Sequence, residues 1–78
     1  MLDAKIVGKV IQRFREERKM SQELVSGLAG IGRTHLSAIE RGERKPTLET
    51  FFRLCDAMNT RPSIVIAAIE NELTPPLS

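Results

Sequence analysis

Apolar side chains recur along this chain at the three- and four-residue intervals of an α-helix, in five short stretches bounded by glycine, proline or small polar residues. In the first, about residues 4–18, Ile6, Val10 and Phe14 form a stripe with Val7 and Ile11 beside it, while Lys5, Lys9, Arg13, Glu16 and Glu17 fall outside. Asp3 stands where a capping carboxylate belongs. The second stretch begins after Ser21, a good N-cap residue, and carries Glu23 in its first turn, where the helix dipole favours an anion. Leu24 occupies the place where Glu or Gln would complete a capping box, and Gly30 ends the helix. The third, about residues 33–41, has Leu36 and Ile39 as its apolar pair and stops at Gly42.

The polar run Glu43-Arg44-Lys45-Pro46 follows, and its proline blocks helix continuation. Thr47 is the expected cap of a fourth helix over about residues 48–58, with Leu48, Phe51, Phe52, Cys55 and Met58 as its expected buried side. Asn59 suits the left-handed conformation that ends a helix, and Pro62 suits the first turn of a fifth. Residues 74–78 form an expected frayed tail. No stretch has the alternation of a strand, so the expected fold is all-α, a compact five-helix bundle. Helices this short are marginal in water and must be held by mutual packing, which makes residues 1–78 one expected domain with a folded core over about 5–73.

Composition narrows the chemistry. A single cysteine allows no intrachain disulfide, and one histidine with one cysteine leaves a self-contained metal site without its usual ligands. No apolar run approaches the roughly 20 residues of a membrane span, and the N-terminus lacks the apolar core of a signal peptide, so a cytoplasmic location is expected. The net charge is only +2, but residues 1–45 carry +4 and residues 46–78 carry −2. A basic half joined to an acidic half fits one face for a polyanion and another for a different task.

Little points to catalysis. There is no glycine-rich phosphate loop and no Ser/His/Asp set in a motif context, so the chain is not expected to be an enzyme, to need a cofactor, or to hold a small-molecule ligand. His35 admits two readings: a contact to a phosphate or a base, or a half-exposed surface residue. Cys55, between Phe51 and Met58 on an apolar helix side, reads as a small buried hydrophobe rather than a nucleophile.

The informative stretch is SQELVSGLAGIGRTHLSAIERG, residues 21–42, which reads as helix, tight turn at Gly30-Ile31-Gly32, and helix. Val25, Ala29, Ile31, Leu36 and Ile39 are spaced to bury the angle between the two helices, with Ser26 a small residue at their close approach. Two helices packed steeply in this way let the first brace against a DNA backbone while the second enters the major groove, where every base pair shows a distinct pattern of donors and acceptors. Arg15, Ser21-Gln22-Glu23, Ala29-Gly30, Arg33, Ser37, Ile39-Glu40-Arg41-Gly42 and Pro46 resemble the phage-repressor and Cro type of helix-turn-helix, the XRE family of transcriptional regulators. The run RTHLS followed by ERGERKPTL is similar to restriction–modification controller proteins within it.

The resemblance implies a lambda-repressor-like fold, double-stranded DNA as partner, and roles position by position. Arg33, Thr34, Ser37 and Ala38 match positions facing base edges. Gln22, Arg41, Arg44 and Lys45 match phosphate contacts, with a base contact as the alternative for Arg44 and with His35 placed beside them. Arg15 and Glu40 match a structural salt bridge. The departures are Gly27 inside the second helix, Gly32 in place of the usual capping serine, Lys19 where glycine is common, and Leu24 and Leu28 where polar residues are usual. In the fifth helix Ile64, Val65, Ile66, Ile69 and Leu73 sweep an arc of about 200°, wider than one core-facing stripe needs. One side is expected to pack on the first and fourth helices. The remainder, with Ile64, Val65, Ile66 and Ile69 as the expected interface, is expected to meet a second copy, giving a homodimer on a pseudo-palindromic operator. No separate sensor domain is expected, so any signal is expected to act through concentration or a partner such as RNA polymerase or a small protein. The alternative is a protein-interaction module of antitoxin type, whose helix-turn-helix serves mainly autoregulation.

Overall fold

The computed structural model describes residues 2–73, so the tail expected to fray over residues 74–78 lies outside the described residues. Five helices follow in order: α1 (Ala4–Glu17), α2 (Gln22–Ala29), α3 (Arg33–Glu40), α4 (Leu48–Ala57) and α5 (Pro62–Leu73). The expected starts hold because the expected caps form. Asp3 accepts from the Lys5 amide at 2.8 Å, Ser21 from the Leu24 amide at 3.0 Å, and Thr47 from the Thr50 amide at 3.1 Å. Each satisfies an amide that the first helical turn leaves without a backbone partner. α3 starts at Gly32 with no side-chain cap. Gly30 and Gly42 end α2 and α3 at φ 73° and 78°, the region where a β-carbon is costly. Asn59 takes φ 55° after α4, as expected.

Each helix packs on two others: α1 on α3 and α5, α2 on α3 and α4, and α4 on α5, closing a ring around the core. The core they enclose is Val7, Val10, Ile11 and Phe14 from α1, Val25 and Ala29 from α2, Leu36 and Ile39 from α3, Phe51, Leu54, Cys55 and Met58 around α4, and Val65 and Ile69 from α5. Ile31, in the turn between α2 and α3, is only half-buried against it. The fourth helix corrects the expected buried side. Leu48 and Phe52 are 70% and 53% exposed, and Leu54, absent from the expected set, is fully buried. The face that meets the core is 51, 54, 55 and 58, the i, i+3, i+4, i+7 set; Leu48 and Phe52 sit on its flank. Cys55 is fully buried, and desolvation pushes its thiol up to about 11.

Two ties were not anticipated. Arg18, at the end of α1, donates from Nε to the Met58 carbonyl at 2.9 Å and lies 5.2 Å from the centre of the Phe14 ring. It thereby joins the C-terminal ends of α1 and α4. Gly8 is buried where α1 crosses the end of α3, and a β-carbon there would collide with the Ile39 carbonyl and stand 2.8 Å from the Glu40 carbonyl. The obstacle is backbone, which cannot swing aside.

Lys19 holds φ 56° in the turn between α1 and α2, a conformation that costs an L-residue about 1–2 kcal/mol. Lys19→Gly removes that strain and loses part of the gain to the entropy of glycine in the unfolded chain, so it is expected to stabilise by about 0.5–1 kcal/mol. Gly8→Ala, by forcing α1 off α3, is expected to destabilise by about 2 kcal/mol or more. Urea unfolding of both variants against the parent checks the two signs.

Candidate nucleic-acid interface

The site is built from a buried ion pair outward. Arg15 of α1 meets Glu40, the last residue of α3, through two parallel bonds, Nε to Oε2 at 2.7 Å and Nη2 to Oε1 at 2.9 Å. Its Nη1 donates to the Met20 carbonyl, just before α2, at 2.8 Å. Both side chains are almost wholly enclosed, and the hydrogen bonds to Glu40 raise the Arg15 pKa against the opposing effect of burial. Gln22 then donates from Nε2 to the Glu40 Oε1 at 2.8 Å. One carboxylate therefore fixes the end of α1, the entry to α2, the end of α3 and the side chain that opens α2. No buried side-chain nitrogen or oxygen among the described residues lacks a partner.

Fixed from behind in this way, α3 presents its other side outward. Leu36, Ile39 and Glu40 are buried, while Arg33 and Thr34 are exposed and Ser37 and Ala38 half-exposed. At 100° per residue, positions 33, 34, 37 and 38 share one face, and residue 41 continues it past the helix end. Arg33 and Arg44 enter none of the ion pairs among the described residues. Arg44 and Lys45 are exposed in the loop after Gly42, with the Lys45 Nζ 3.4 Å from the Leu2 carbonyl. His35 is half-buried beside the exposed face.

Arg41 behaves otherwise. Its Nε and Nη2 donate to the Glu43 carboxylate at 2.8 and 3.0 Å, and its Nη1 donates to the Ser37 hydroxyl. The pairing raises the Arg41 pKa and lowers that of Glu43, the hydrogen bonds contributing most to each. Both side chains remain more than half exposed. Glu43 was not singled out in the sequence; its signal there is an acid two residues after the arginine, in an otherwise basic loop.

The expected interface on α5 divides. Ile64 and Ile66 are 52% and 48% exposed, but Val65 and Ile69 are 0% and 5% exposed and belong to the core. Val65 and Ile69 are therefore corrected to intrachain packing, because α5 turns them onto α1 and α4. Ile66 instead lines a shallow groove with Leu2, Pro46, Leu48 and Leu73. No group of metal-ligating side chains occurs among the described residues, and none of their helices is long and apolar enough to cross a membrane.

A helix-turn-helix family model matches residues 11–65. An uncharacterized HTH-type transcriptional regulator of Sinorhizobium fredii is 39% identical over 54 residues, covering 69% of this chain and 70% of its own. Control protein C.SmaI of Serratia marcescens is 34% identical over 55 residues, covering 70% of this chain and 66% of its own. Among solved structures, the restriction-modification controller protein C.AhdI of Aeromonas hydrophila superposes with a TM-score of 0.78 at 26% identity, over 83% of this chain and 98% of that one.

Removing one partner of the enclosed pair leaves the other charged and unpaired. Arg15→Ala is expected to cost about 3–5 kcal/mol, a large part of the stability of a chain this size. Arg41→Ala, which breaks an exposed pair, is expected to leave the melting temperature nearly unchanged. Thermal unfolding by circular dichroism separates the two.

Proposed function

This chain belongs to the helix-turn-helix family of DNA-binding transcriptional regulators, of the XRE type, and on that premise we propose that it recognises a pseudo-palindromic operator as a homodimer, with the start of α3 in the major groove. The carrying observation is the exposed face of α3: Arg33 and Thr34 stand clear of the protein at the helix's first turn, on a scaffold rigidified from behind by Glu40. A helix whose position and rotation are fixed at its far end by Glu40 loses little freedom when its first turn docks, which favours base readout over loose attachment.

Within this reading, Arg33 donates two bonds to guanine O6 and N7, and Thr34 meets a neighbouring base through its hydroxyl or methyl. Ser37 and Ala38 follow on the same face. Gln22 clamps a phosphate with the amide proton that Glu40 leaves unused, at an N-terminus whose backbone amides attract anions. Arg41, Arg44 and Lys45 hold the backbone on the other side, with His35 beside them. Residues 5–73 act as one folded unit. Ile64, on the flank of α5 away from the groove that Ile66 lines, supplies the contact with a second copy, so that two α3 helices face grooves about 34 Å apart. The likeness to control protein C.SmaI and to the controller C.AhdI supports a controller-type role, exerted by blocking or recruiting RNA polymerase.

One observation favours a second reading. Leu24 and Leu28, one turn apart on α2, are 48% and 62% exposed, a surface that suits a small protein partner of an antitoxin-like module. A stable partner recovered with the protein from its host, together with loss of that partner in Leu28→Glu, would favour it.

Selection of bound sequences from random duplex DNA tests the leading reading, which expects paired half-sites related by a two-fold axis. On the selected site, Arg33→Ala is expected to cost about 1–3 kcal/mol and to blur preference at one base pair, with little change on random DNA. Lys45→Ala is expected to weaken all sequences alike and to reduce the salt slope by about one. Equal losses on every sequence for Arg33→Ala would remove it from base readout.

A further inference from the structure

The ion pair at the end of α3 has a geometry that bears on how tightly DNA is held. Arginine's Nε/Nη2 edge presents two parallel N–H groups, a fork that fits a carboxylate and a phosphate equally well. In Arg41 that edge is occupied by both oxygens of Glu43, while Nη1 on the opposite edge holds Ser37. Glu43 itself is anchored, because its backbone amide donates to the Ala38 carbonyl at 2.9 Å and fixes the turn that follows α3. The carboxylate therefore stands on a positioned backbone, at the place on Arg41 that a DNA phosphate would take.

We propose that Glu43 is a built-in stand-in for phosphate: it competes with the DNA backbone for Arg41, and attachment to DNA requires a phosphate to replace it. The inference rests on the DNA-binding reading above and adds a residue that no match to a base or phosphate position supplies. Three consequences follow from the bonds. Arg41 is held in a phosphate-ready conformation before DNA arrives, so little side-chain freedom remains to be lost on docking. The exchange leaves the opposite edge of Arg41 on Ser37 undisturbed. With a lone pair of its oxygen committed to Arg41, the Ser37 hydroxyl keeps its proton to donate, which biases it toward acceptor atoms such as guanine N7 and O6 or thymine O4. The competition also weakens backbone attachment on every sequence alike, and so limits time spent on DNA that offers no base contacts. The lowered pKa of Glu43 agrees with a carboxylate that stays ionised and in place at neutral pH.

The test is a double-mutant cycle measured with duplex DNA of mixed sequence at low salt, using the full chain. Glu43→Gln keeps the size of the side chain and removes the charge; because both groups are exposed, the fold is expected to persist, and an unchanged melting curve verifies this. Glu43→Gln is expected to tighten binding about two- to fivefold per subunit, the range open to an exposed ion pair that no longer has to be broken. In an Arg41→Gln background the same substitution is expected to gain nothing, since no fork remains to be contested. A gain of equal size in both backgrounds would mean that Glu43 merely repels DNA at a distance, and would overturn the proposal, as would no gain in either. If the parent protein binds no duplex, the DNA-binding reading falls and takes this inference with it. A parent that binds while the cycle shows no coupling overturns this inference alone.

Discussion

The Glu40 carboxylate is the joint on which the arrangement turns. Two bonds from Arg15, one from Gln22, and the bond that Arg15 makes to the Met20 carbonyl place α1, the entry to α2 and the end of α3 around one enclosed charge pair. An apolar contact of equal size would hold the helices together about as well, since desolvating two charges offsets most of their attraction. Its lack of direction would let α3 roll. The fork of an arginine on a carboxylate fixes rotation as well as distance, and for a helix whose outward residues must meet base edges, rotation is what matters. Gly8 is the steric counterpart: without a β-carbon, α1 reaches the last carbonyls of α3 and brings Arg15 within range.

Charge is distributed unevenly between the functional groups. Arg15 and Glu40 cancel inside the protein, Arg53 and Glu49 cancel one turn apart on α4, and Arg41 and Glu43 cancel beside α3. Arg33 and Arg44 stand outside every described pair. The formal charge of +2 is concentrated in α3 and the loop after it: residues 33–45 hold four bases (Arg33, Arg41, Arg44, Lys45) against two acids (Glu40, Glu43), which is +2, and the rest of the chain sums to zero.

Much of this was legible in the sequence because local signals agree. Asp3, Ser21 and Thr47 mark helix starts and Gly30, Gly42 and Asn59 mark ends, each by a mechanism that needs only near neighbours. The Arg15–Glu40 bond, 25 positions apart, was legible only through the family resemblance. Other features were not. Leu48 and Phe52 looked buried because residue type was read without the angle at which α4 meets its neighbours, and Leu54 was missed for the same reason. Val65 and Ile69 could not be told from Ile64 and Ile66 on a helix apolar over most of its circumference. Gly8 gave no sign at all, since the carbonyls it accommodates lie more than 30 residues away in the chain.

The burial of Cys55 carries a consequence of its own. The chain's sole sulfhydryl is sealed in the core with its ionisation suppressed, and peroxides and disulfides react with the ionised form. Oxidative modification at that sulfur must wait for the helices to part. Two copies of the folded chain also have no means of becoming covalently linked through it, so whatever association they form stays reversible and responsive to dilution.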